Sequence, residues 1–172
     1  MKKDEINKPP ENVPDVALLL EQLGAYDVAV RQNARKTLQS LGEEVLPQMV
    51  EMLPKADFVL RWEIIKALSE MRLVAAVPTL IEAMEDDEPD VRWVAAEGLA
   101  HLGRGGLRPL LRAIISNPDS IYLHRGAHHV LTKYKQKDLH EALARLRDAL
   151  SPLAVEEDAV VLAEEALKTL EK

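Results

Sequence analysis

The sequence predicts an all-α protein, built as a solenoid of about four to five two-helix repeats. An aliphatic residue followed by Arg or His recurs at intervals of 30, 31 and 32 residues, and Leu follows seven residues later each time. The recurring step falls at Arg31, Arg61, Arg92 and His124. Prolines give a second register, because they recur 31 residues apart at Pro47, Pro78 and Pro109. Aromatic residues make up only 3% of the chain, which suits packed helices better than sheets.

Each repeat is predicted to hold two helices in a fixed order. The helix with the Arg step, which we call the first-type helix, carries apolar residues at helical spacing, such as Val91, Ala95 and Leu99. Gly42 and Gly103 are expected to end two of these helices, since glycine readily adopts the left-handed conformation found just past a helix end. The following helix, called second-type, carries the recurring proline in its first turn, where a missing N–H loses no helical hydrogen bond.

The two ends of the chain depart from the repeat. Residues 1–12 are predicted to be a disordered lead, and residues 13–172 a single repeat domain. Within that domain we expect an N-terminal capping helix over 13–24, four repeats over 27–150 and a C-terminal capping helix over 151–172. The last of these looks like a first-type helix without its partner. Atypical ends are expected, because inner repeats bury both faces and terminal ones cannot.

An acidic residue precedes the Arg step by four positions in three repeats, at Asp27, Asp57 and Glu88. Together with the Ala and Leu spacing and the proline of the second helix, this motif resembles the HEAT-like repeats of the phycobilisome-lyase type over about residues 15–150. The resemblance implies a right-handed α-solenoid, or α-α superhelix, of armadillo-like form. A bilin lyase-like subunit, suggested by the name of the repeat type, is a remote functional alternative.

The deoxyhypusine hydroxylases are enzymes built from similar repeats, and they hold two irons with His-Glu pairs directly after the Val-Arg step. The matching pairs here are Gln32-Asn33, Trp62-Glu63, Trp93-Val94 and Arg125-Gly126. None is His-Glu, and a lone Glu cannot supply the several nitrogen and carboxylate ligands of a di-iron centre. That activity is therefore excluded, and no cofactor is expected.

Composition argues against several other functions. The chain has no Cys, so disulfides, thiol nucleophiles and cysteine metal sites are excluded. No apolar run approaches the roughly 18–20 residues that span a bilayer, so no membrane contact and a cytoplasmic location are expected. His124 and His128 lie four residues apart and could chelate a metal, but no acidic residue lies between Ser120 and Lys137 to complete a site. Without a metal site or another catalytic grouping, a non-enzymatic protein is predicted.

Trp62 and Trp93 are the only tryptophans, and both directly follow the Arg step. Side chains here and one turn later point away from the core stripe, and the resemblance to the hydroxylases places them on the working, concave face. Large aromatic residues beside cationic ones are common interface anchors. We therefore predict a protein-protein interaction scaffold with a partner of unknown identity. The predicted contact residues are Gln32, Asn33, Lys36, Phe58, Trp62, Glu63, Lys66, Trp93, Glu97, Tyr122, Arg125 and His129. The alternative is that each Trp only fills a seam between repeats.

The net charge of −7 is unevenly distributed. Residues 101–147 hold nine Lys or Arg and three acidic residues, whereas residues 148–172 hold two and seven. This basic block suggests an alternative function, nucleic-acid binding or HEAT-type DNA repair, although the overall negative charge argues against it. The acidic C-terminal segment could instead neutralise the block within one molecule.

The C-terminal helix also predicts a weak homodimer. Apolar side chains surround much of its circumference, and only one stripe can pack on the fourth repeat, so the remainder is free to pair with a second copy. The alternative is a monomer in which Glu164, Glu165 and Lys168 face outward and the helix acts as a cap.

Overall fold

A computed structural model describes residues 14–134, 140–151 and 158–170. The described residues form ten α-helices and three short 3₁₀ turns, without a β-strand. The helices are α1 (Val16–Gln22), α2 (Val28–Leu41), α3 (Leu46–Met52), α4 (Phe58–Met71), α5 (Val77–Ala83), α6 (Pro89–Leu102), α7 (Arg104–Ser116), α8 (Ile121–Lys133), α9 (His140–Ala149) and α10 (Ala159–Leu170). The α-solenoid expected from the repeats is confirmed, and the predicted disordered lead over 1–12 lies outside the described residues.

The first-type helices are α2, α4, α6 and α8, and most begin at a side-chain cap. Asp27, Asp57 and Ser120 accept hydrogen bonds from backbone N–H groups in the first turns of α2, α4 and α8. Each such cap stabilises a helix by about 1 kcal/mol. The acidic residue of the repeat motif is therefore an N-cap in two of its three occurrences. The third, Glu88, makes no side-chain cap bond and is followed by Pro89 at the start of α6.

Glycine ends the first-type helices of two repeats, as the sequence predicts. Gly42 follows α2 with φ 70° and Gly103 follows α6 with φ 55°, a region that residues with a Cβ atom enter only at a cost. In the second repeat Arg72 takes this position with φ 53°. The three residues share a positive φ but not the same ψ, which is −141° at Gly42, −124° at Gly103 and 36° at Arg72.

The prediction for the recurring prolines holds in two repeats and is wrong in the third. Pro47 and Pro78 lie in the first turn of α3 and α5, each of which follows a short 3₁₀ turn. Pro109 lies inside α7 instead. In the other two repeats a separate 3₁₀ turn precedes the helix that contains the proline. In this repeat the corresponding segment is the beginning of α7, which starts at Arg104, so Pro109 lies further inside the helix.

The first-type helices pack in chain order, α2 on α4, α4 on α6 and α6 on α8. Contacts within this row are more extensive than contacts between successive second-type helices. The first-type helices therefore form one continuous row along the solenoid. The Leu that follows each Arg step by seven residues is buried in every repeat, and each contributes about 1.5–3 kcal/mol by leaving water. These residues are Leu38, Leu68, Leu99 and Leu131.

The position of α10 differs from the expected continuation of the first-type row. Its main contacts are with α7 and α9, which are second-type helices. Leu162, Ala163, Ala166 and Leu170 are buried there, because a stripe at helical spacing can face both neighbours at once. The outward residues Glu164, Glu165 and Lys168 are exposed.

Val161 is the large hydrophobic residue that α10 leaves exposed, so the broad apolar surface on which a homodimer through this helix was predicted is absent from the described residues. The outward charges are those of the capping alternative, and the oligomeric state stays a prediction. None of the described helices is both long and apolar enough to cross a membrane.

Candidate functional site

The arginine of the repeated step fastens the turn that precedes its own helix. Arg31 Nη1 donates to the backbone carbonyls of Ala25 and Tyr26, at 2.7 and 2.9 Å. Arg92 Nη1 donates in the same way to the carbonyls of Asp86 and Asp87, at 2.5 and 2.9 Å. The repeated arginine is therefore structural, and it holds the first residues of its own first-type helix in place.

His124 occupies this arginine position in the fourth repeat. Its Nε2 atom is buried and has no hydrogen-bond partner among the described residues. Burial lowers the pKa of His124, although Glu85 and Asp119 partly oppose the shift. The shorter imidazole thus does not reproduce the arginine's fastening contact through Nε2. Nowhere in residues 14–134, 140–151 and 158–170 do three His, Cys, Asp or Glu side chains cluster as metal ligands would.

Carboxylates of the next repeat hold two of these arginines. Arg61 binds both carboxylate oxygens of Asp86, at 2.7 and 2.9 Å. Burial alone would raise the pKa of Asp86, but hydrogen bonds from Arg61 and from the backbone N–H of Glu88 hold it below its ordinary value. Arg31 Nε lies 3.0 Å from Glu63 Oε1, and Arg35 pairs with the other oxygen of the same carboxylate.

Glu63 was predicted to contact a partner, and the structure places it elsewhere. It is 3% exposed, and its carboxylate is occupied by the two arginines of the preceding repeat. Arg35, which was not among the predicted contact residues, makes the burial of Glu63 possible because it supplies a second positive charge. The only sequence signal was its position four residues after Arg31, on the same helix face.

A groove between α6 and α8 brings together four predicted contact residues, Trp93, Tyr122, Arg125 and His129. It encloses about 220 Å³, and its remaining lining residues are Pro89, Arg92, Ala96 and Gly126. Trp93 on α6 is 56% exposed and Tyr122 on α8 is 44% exposed, so each helix presents one large aromatic ring to solvent at the groove. The groove therefore contains four of the twelve predicted contact residues, including two of the predicted aromatic ones.

Ring contacts fix the side chains of this groove. The rings of Trp93 and His129 lie 4.2 Å apart between centroids and are tilted by 54°. The Arg92 guanidinium lies over the Tyr122 ring at 4.1 Å, a geometry that favours a cation–π interaction. Since Arg92 is also held by two carbonyls, Tyr122 stacks on a group that cannot easily move.

Glu97 lies beside the groove, and its charge is compensated. His129 Nε2 is 2.5 Å from Glu97 Oε1, and Lys133 Nζ is 3.5 Å from the same oxygen. Burial by itself would raise the pKa of Glu97, but these two neighbours hold it below its ordinary value. Glu97 therefore positions His129 against Trp93 instead of facing a partner.

The two tryptophans have different surroundings. Trp62 is half-buried and packs against the hydrophobic core, with the Arg35 guanidinium 5.8 Å from its ring centre. It shares a shallow pocket with Phe58, and the other residues there are Arg31, Val59, Glu63 and Asp90. Trp62 thus has the surroundings of a seam residue, whereas Trp93 has those of a surface residue.

The remaining predicted residues are not part of either pocket. Gln32, Asn33 and Lys36 are exposed on α2. Lys66 pairs with Glu70 at 3.0 Å along α4. These four residues lie in the same row of helices, but the structure does not bring them together with the aromatic groove.

The acidic C-terminal helix pairs with part of the basic block. Arg145 on α9 lies 3.3 Å from Glu165 on α10. Arg108 on α7 donates to the carbonyl of Leu170 at 3.4 Å. The Arg145–Glu165 pair is a contact of the kind expected if the acidic segment neutralises the block within one molecule, whereas the Arg108 contact is to an uncharged carbonyl.

Comparisons with known proteins agree with this architecture. The family model described as HEAT repeats matches residues 16–92 and 77–168. The chain is also 32% identical over 88 residues to a bilin biosynthesis protein, RpcF, of Synechococcus sp. (strain WH8020). That match covers 51% of this chain and 42% of the relative, so the chain matches well under two thirds of the relative's length.

The second match corrects the prediction of a non-enzymatic protein. The relative's name assigns it to bilin biosynthesis, and the similarity covers half of the present chain. The absence of a recognisable catalytic motif was therefore not a sufficient reason to predict that the protein is no enzyme. The resemblance to phycobilisome-lyase-type repeats is confirmed by both matches.

Proposed function

Since the chain belongs to the HEAT repeat family, we propose that it acts as a protein-interaction module whose binding surface is centred on the groove between α6 and α8. The observation that carries this proposal is the exposure of Trp93 in a groove whose other walls are fixed. A tryptophan ring over half exposed to water is unusual, and burying it against a partner gains apolar contact at little cost in side-chain freedom.

Rigidity supports the groove as a binding site. Its lining residues lie on two packed helices, and ring contacts hold Trp93, Tyr122 and His129 in place. A surface that is already ordered loses little conformational entropy when a partner binds. Trp62 and Phe58 line a separate pocket one repeat away on the same row of helices.

Site-specific photo-crosslinking tests the location of the partner. A photoreactive aromatic residue replaces Tyr122 in one variant and Tyr26 in another, because both tyrosines are exposed and Tyr26 lies in the turn before α2, outside the groove. We expect a covalent adduct with a protein from a cell extract only for the variant at position 122. Introducing Trp93→Ala into that variant should remove the adduct, since loss of such an anchor costs about 2 kcal/mol. Equal labelling from position 26, or labelling that survives Trp93→Ala, contradicts the proposal.

A second function is favoured by the similarity to the bilin biosynthesis protein: a role in binding or transferring a bilin. Bilins are open-chain tetrapyrroles with carboxylate side chains, and Trp93, Tyr122 and Arg125 offer aromatic surface and a cation. Absorption spectra recorded while biliverdin is added provide the test. A saturable change in the bilin spectrum that Trp93→Ala weakens supports this role, and a spectrum identical to that of free biliverdin contradicts it.

A further inference from the structure

We propose that the groove between α6 and α8 recognises an acidic segment of a partner protein. Arg125 receives a carboxylate of that segment, and a neighbouring apolar side chain lies against Trp93 and Tyr122. This inference rests on the proposed protein-binding function and specifies the chemistry of the partner.

Arg125 is the residue that favours a negatively charged partner segment. It is exposed at the groove, and within the described residues its guanidinium has no carboxylate partner. Glu97, the acidic residue beside the groove, already contacts His129 and Lys133. An incoming carboxylate therefore meets an unpaired guanidinium, which can bind it through two parallel hydrogen bonds.

The rest of the lining adds to the positive charge. Arg92 also lines the groove, where its guanidinium stacks on Tyr122, and the lining contains no acidic side chain. Two positive charges next to aromatic ring surfaces, of which the Arg92 charge is held in place, favour an anion that carries an apolar neighbour. Such charge complementarity selects partners more strongly than it raises affinity.

The pocket of the preceding repeat has a different charge balance. Around Trp62 the charged lining residues are Arg31, Glu63 and Asp90, and Glu63 is paired with both Arg31 and Arg35. Asp90 is exposed, so this pocket presents a carboxylate, and its one lining arginine is already paired. Although both pockets follow from the same repeat position, only the groove between α6 and α8 is suited to an acidic ligand.

The surroundings of the groove favour a short acidic peptide over a nucleic acid. The connection into α6 is acidic, and Glu85, Asp87 and Asp90 are exposed along it. A nucleic acid binds through many successive phosphates, and its backbone would run over these carboxylates. A peptide with one or two carboxylates can contact Arg125 and avoid them.

Fluorescence anisotropy with labelled peptides tests this inference. The probes are a short peptide of alternating Glu and Leu, the same peptide with Lys in place of Glu, the same peptide with Ala in place of Leu, and a single-stranded oligothymidine. We expect the Glu/Leu peptide to bind most tightly. Arg125→Ala should weaken its binding about tenfold, which is within the range for a charged interface anchor. Arg125→Glu should abolish that binding and shift the preference to the Lys peptide.

Arg112→Ala is the matched control, because Arg112 is an exposed arginine on α7, away from the groove. It should leave peptide binding unchanged, and circular dichroism should show the same helix content for all variants. The inference is overturned if the Glu/Leu peptide does not bind, if the Glu and Lys peptides bind equally, if oligothymidine binds more tightly, or if Arg112→Ala reduces binding as much as Arg125→Ala.

The crosslinking experiment separates this inference from the function on which it rests. If the adduct at position 122 forms and requires Trp93 but is unaffected by Arg125→Glu, the protein-binding function stands and the recognition of an acidic segment fails. If no groove-specific adduct forms, the protein-binding function itself fails.

Discussion

At the residue scale, buried and compensated charges decide which predicted contact residues are available. Glu63 follows its repeated arginine by two residues and Glu97 follows its own by five, and both are held by basic side chains of neighbouring helices. Arg125 lies in the same row and has no such carboxylate partner among the described residues. Pairing across repeats, which a single repeat does not reveal, therefore separates structural charges from those that can bind a partner.

Replacing Glu63 with Ala should reduce the free energy of unfolding by about 3 kcal/mol, because it leaves Arg31 and Arg35 partly buried without their carboxylate. Glu82→Ala is the control, since Glu82 is exposed on α5, and it should change stability by less than about 0.5 kcal/mol. Urea unfolding followed by circular dichroism gives both values. Equal effects of the two substitutions would show that the buried pair does not stabilise the fold.

The pKa of Glu97 predicts how its contribution depends on pH. Because its pKa is lowered in the folded protein, ionised Glu97 stabilises the fold above the unfolded pKa of about 4.3, and this contribution is lost as pH falls through the folded value below it. Glu97→Gln should therefore be less stable than the parent near pH 7 and equally stable in acid. Unfolding measured over a pH series checks this, and a difference in stability that does not change with pH would argue against it.

At the element scale, neighbouring first-type helices approach each other closely, as α4 and α6 show. Gly98 on α6 faces Ser69 on α4, and a Cβ atom added at Gly98 would lie 2.5 Å from Ser69 Oγ and 2.9 Å from its Cα. Ser69 Oγ in turn donates to the carbonyl of Val94 at 2.8 Å. The contact therefore involves backbone on both helices, which cannot adjust as a flexible side chain would.

Gly98→Ala should destabilise the protein by about 1–3 kcal/mol, although alanine is the better helix former, because the added methyl group forces α4 and α6 apart. The comparison is Gly24→Ala, where a Cβ atom would meet its nearest neighbour at an ordinary 3.6 Å. Thermal unfolding of both variants provides the measurement. A Gly98→Ala protein as stable as the parent would mean that the two helices do not approach this closely.

Sequence periodicity was sufficient to predict the helices but not all of their neighbours. The Arg and Leu positions recur, so the first-type helices and their buried leucines follow from the pattern. The placement of Pro109 inside α7 does not follow, because it depends on whether the preceding turn is 3₁₀ or α-helical. The packing of α10 on α9, in the fourth repeat, was expected, but its contact with α7 was missed, since an apolar stripe does not specify which surface it covers.

The candidate site could be predicted only in part, for the same reason. Trp93, Tyr122, Arg125 and His129 are separated by up to one repeat in the sequence, and the repeat register brings them to one groove. The register could not distinguish Trp62 from Trp93, because both occupy the same repeat position. The difference arises from Arg35 and the core beneath Trp62, and from the exposed edge at Trp93.

At the scale of the whole molecule, the charged C-terminal helix and the groove between α6 and α8 lie on different helices of the later repeats. The acidic C-terminal helix contacts the second-type helices α7 and α9, so part of the basic block is neutralised away from the groove. The groove between α6 and α8 keeps its guanidinium groups and its exposed tryptophan. The groove is thus a partly aromatic, positively charged surface within the described residues, on a chain whose net charge is −7.

Tryptophan fluorescence of single-tryptophan variants tests whether a ligand binds over Trp93 in the groove between α6 and α8. Trp62→Phe leaves Trp93 as the reporter, and Trp93→Phe leaves Trp62. When the Glu/Leu peptide is added, the account predicts a saturable change in Trp93 emission and protection of Trp93 from quenching by iodide, because the peptide covers an exposed ring in a positive groove. Trp62 should show neither effect. A response confined to Trp62, or a Trp93 that iodide quenches equally with and without saturating peptide, would contradict the assignment of the binding surface.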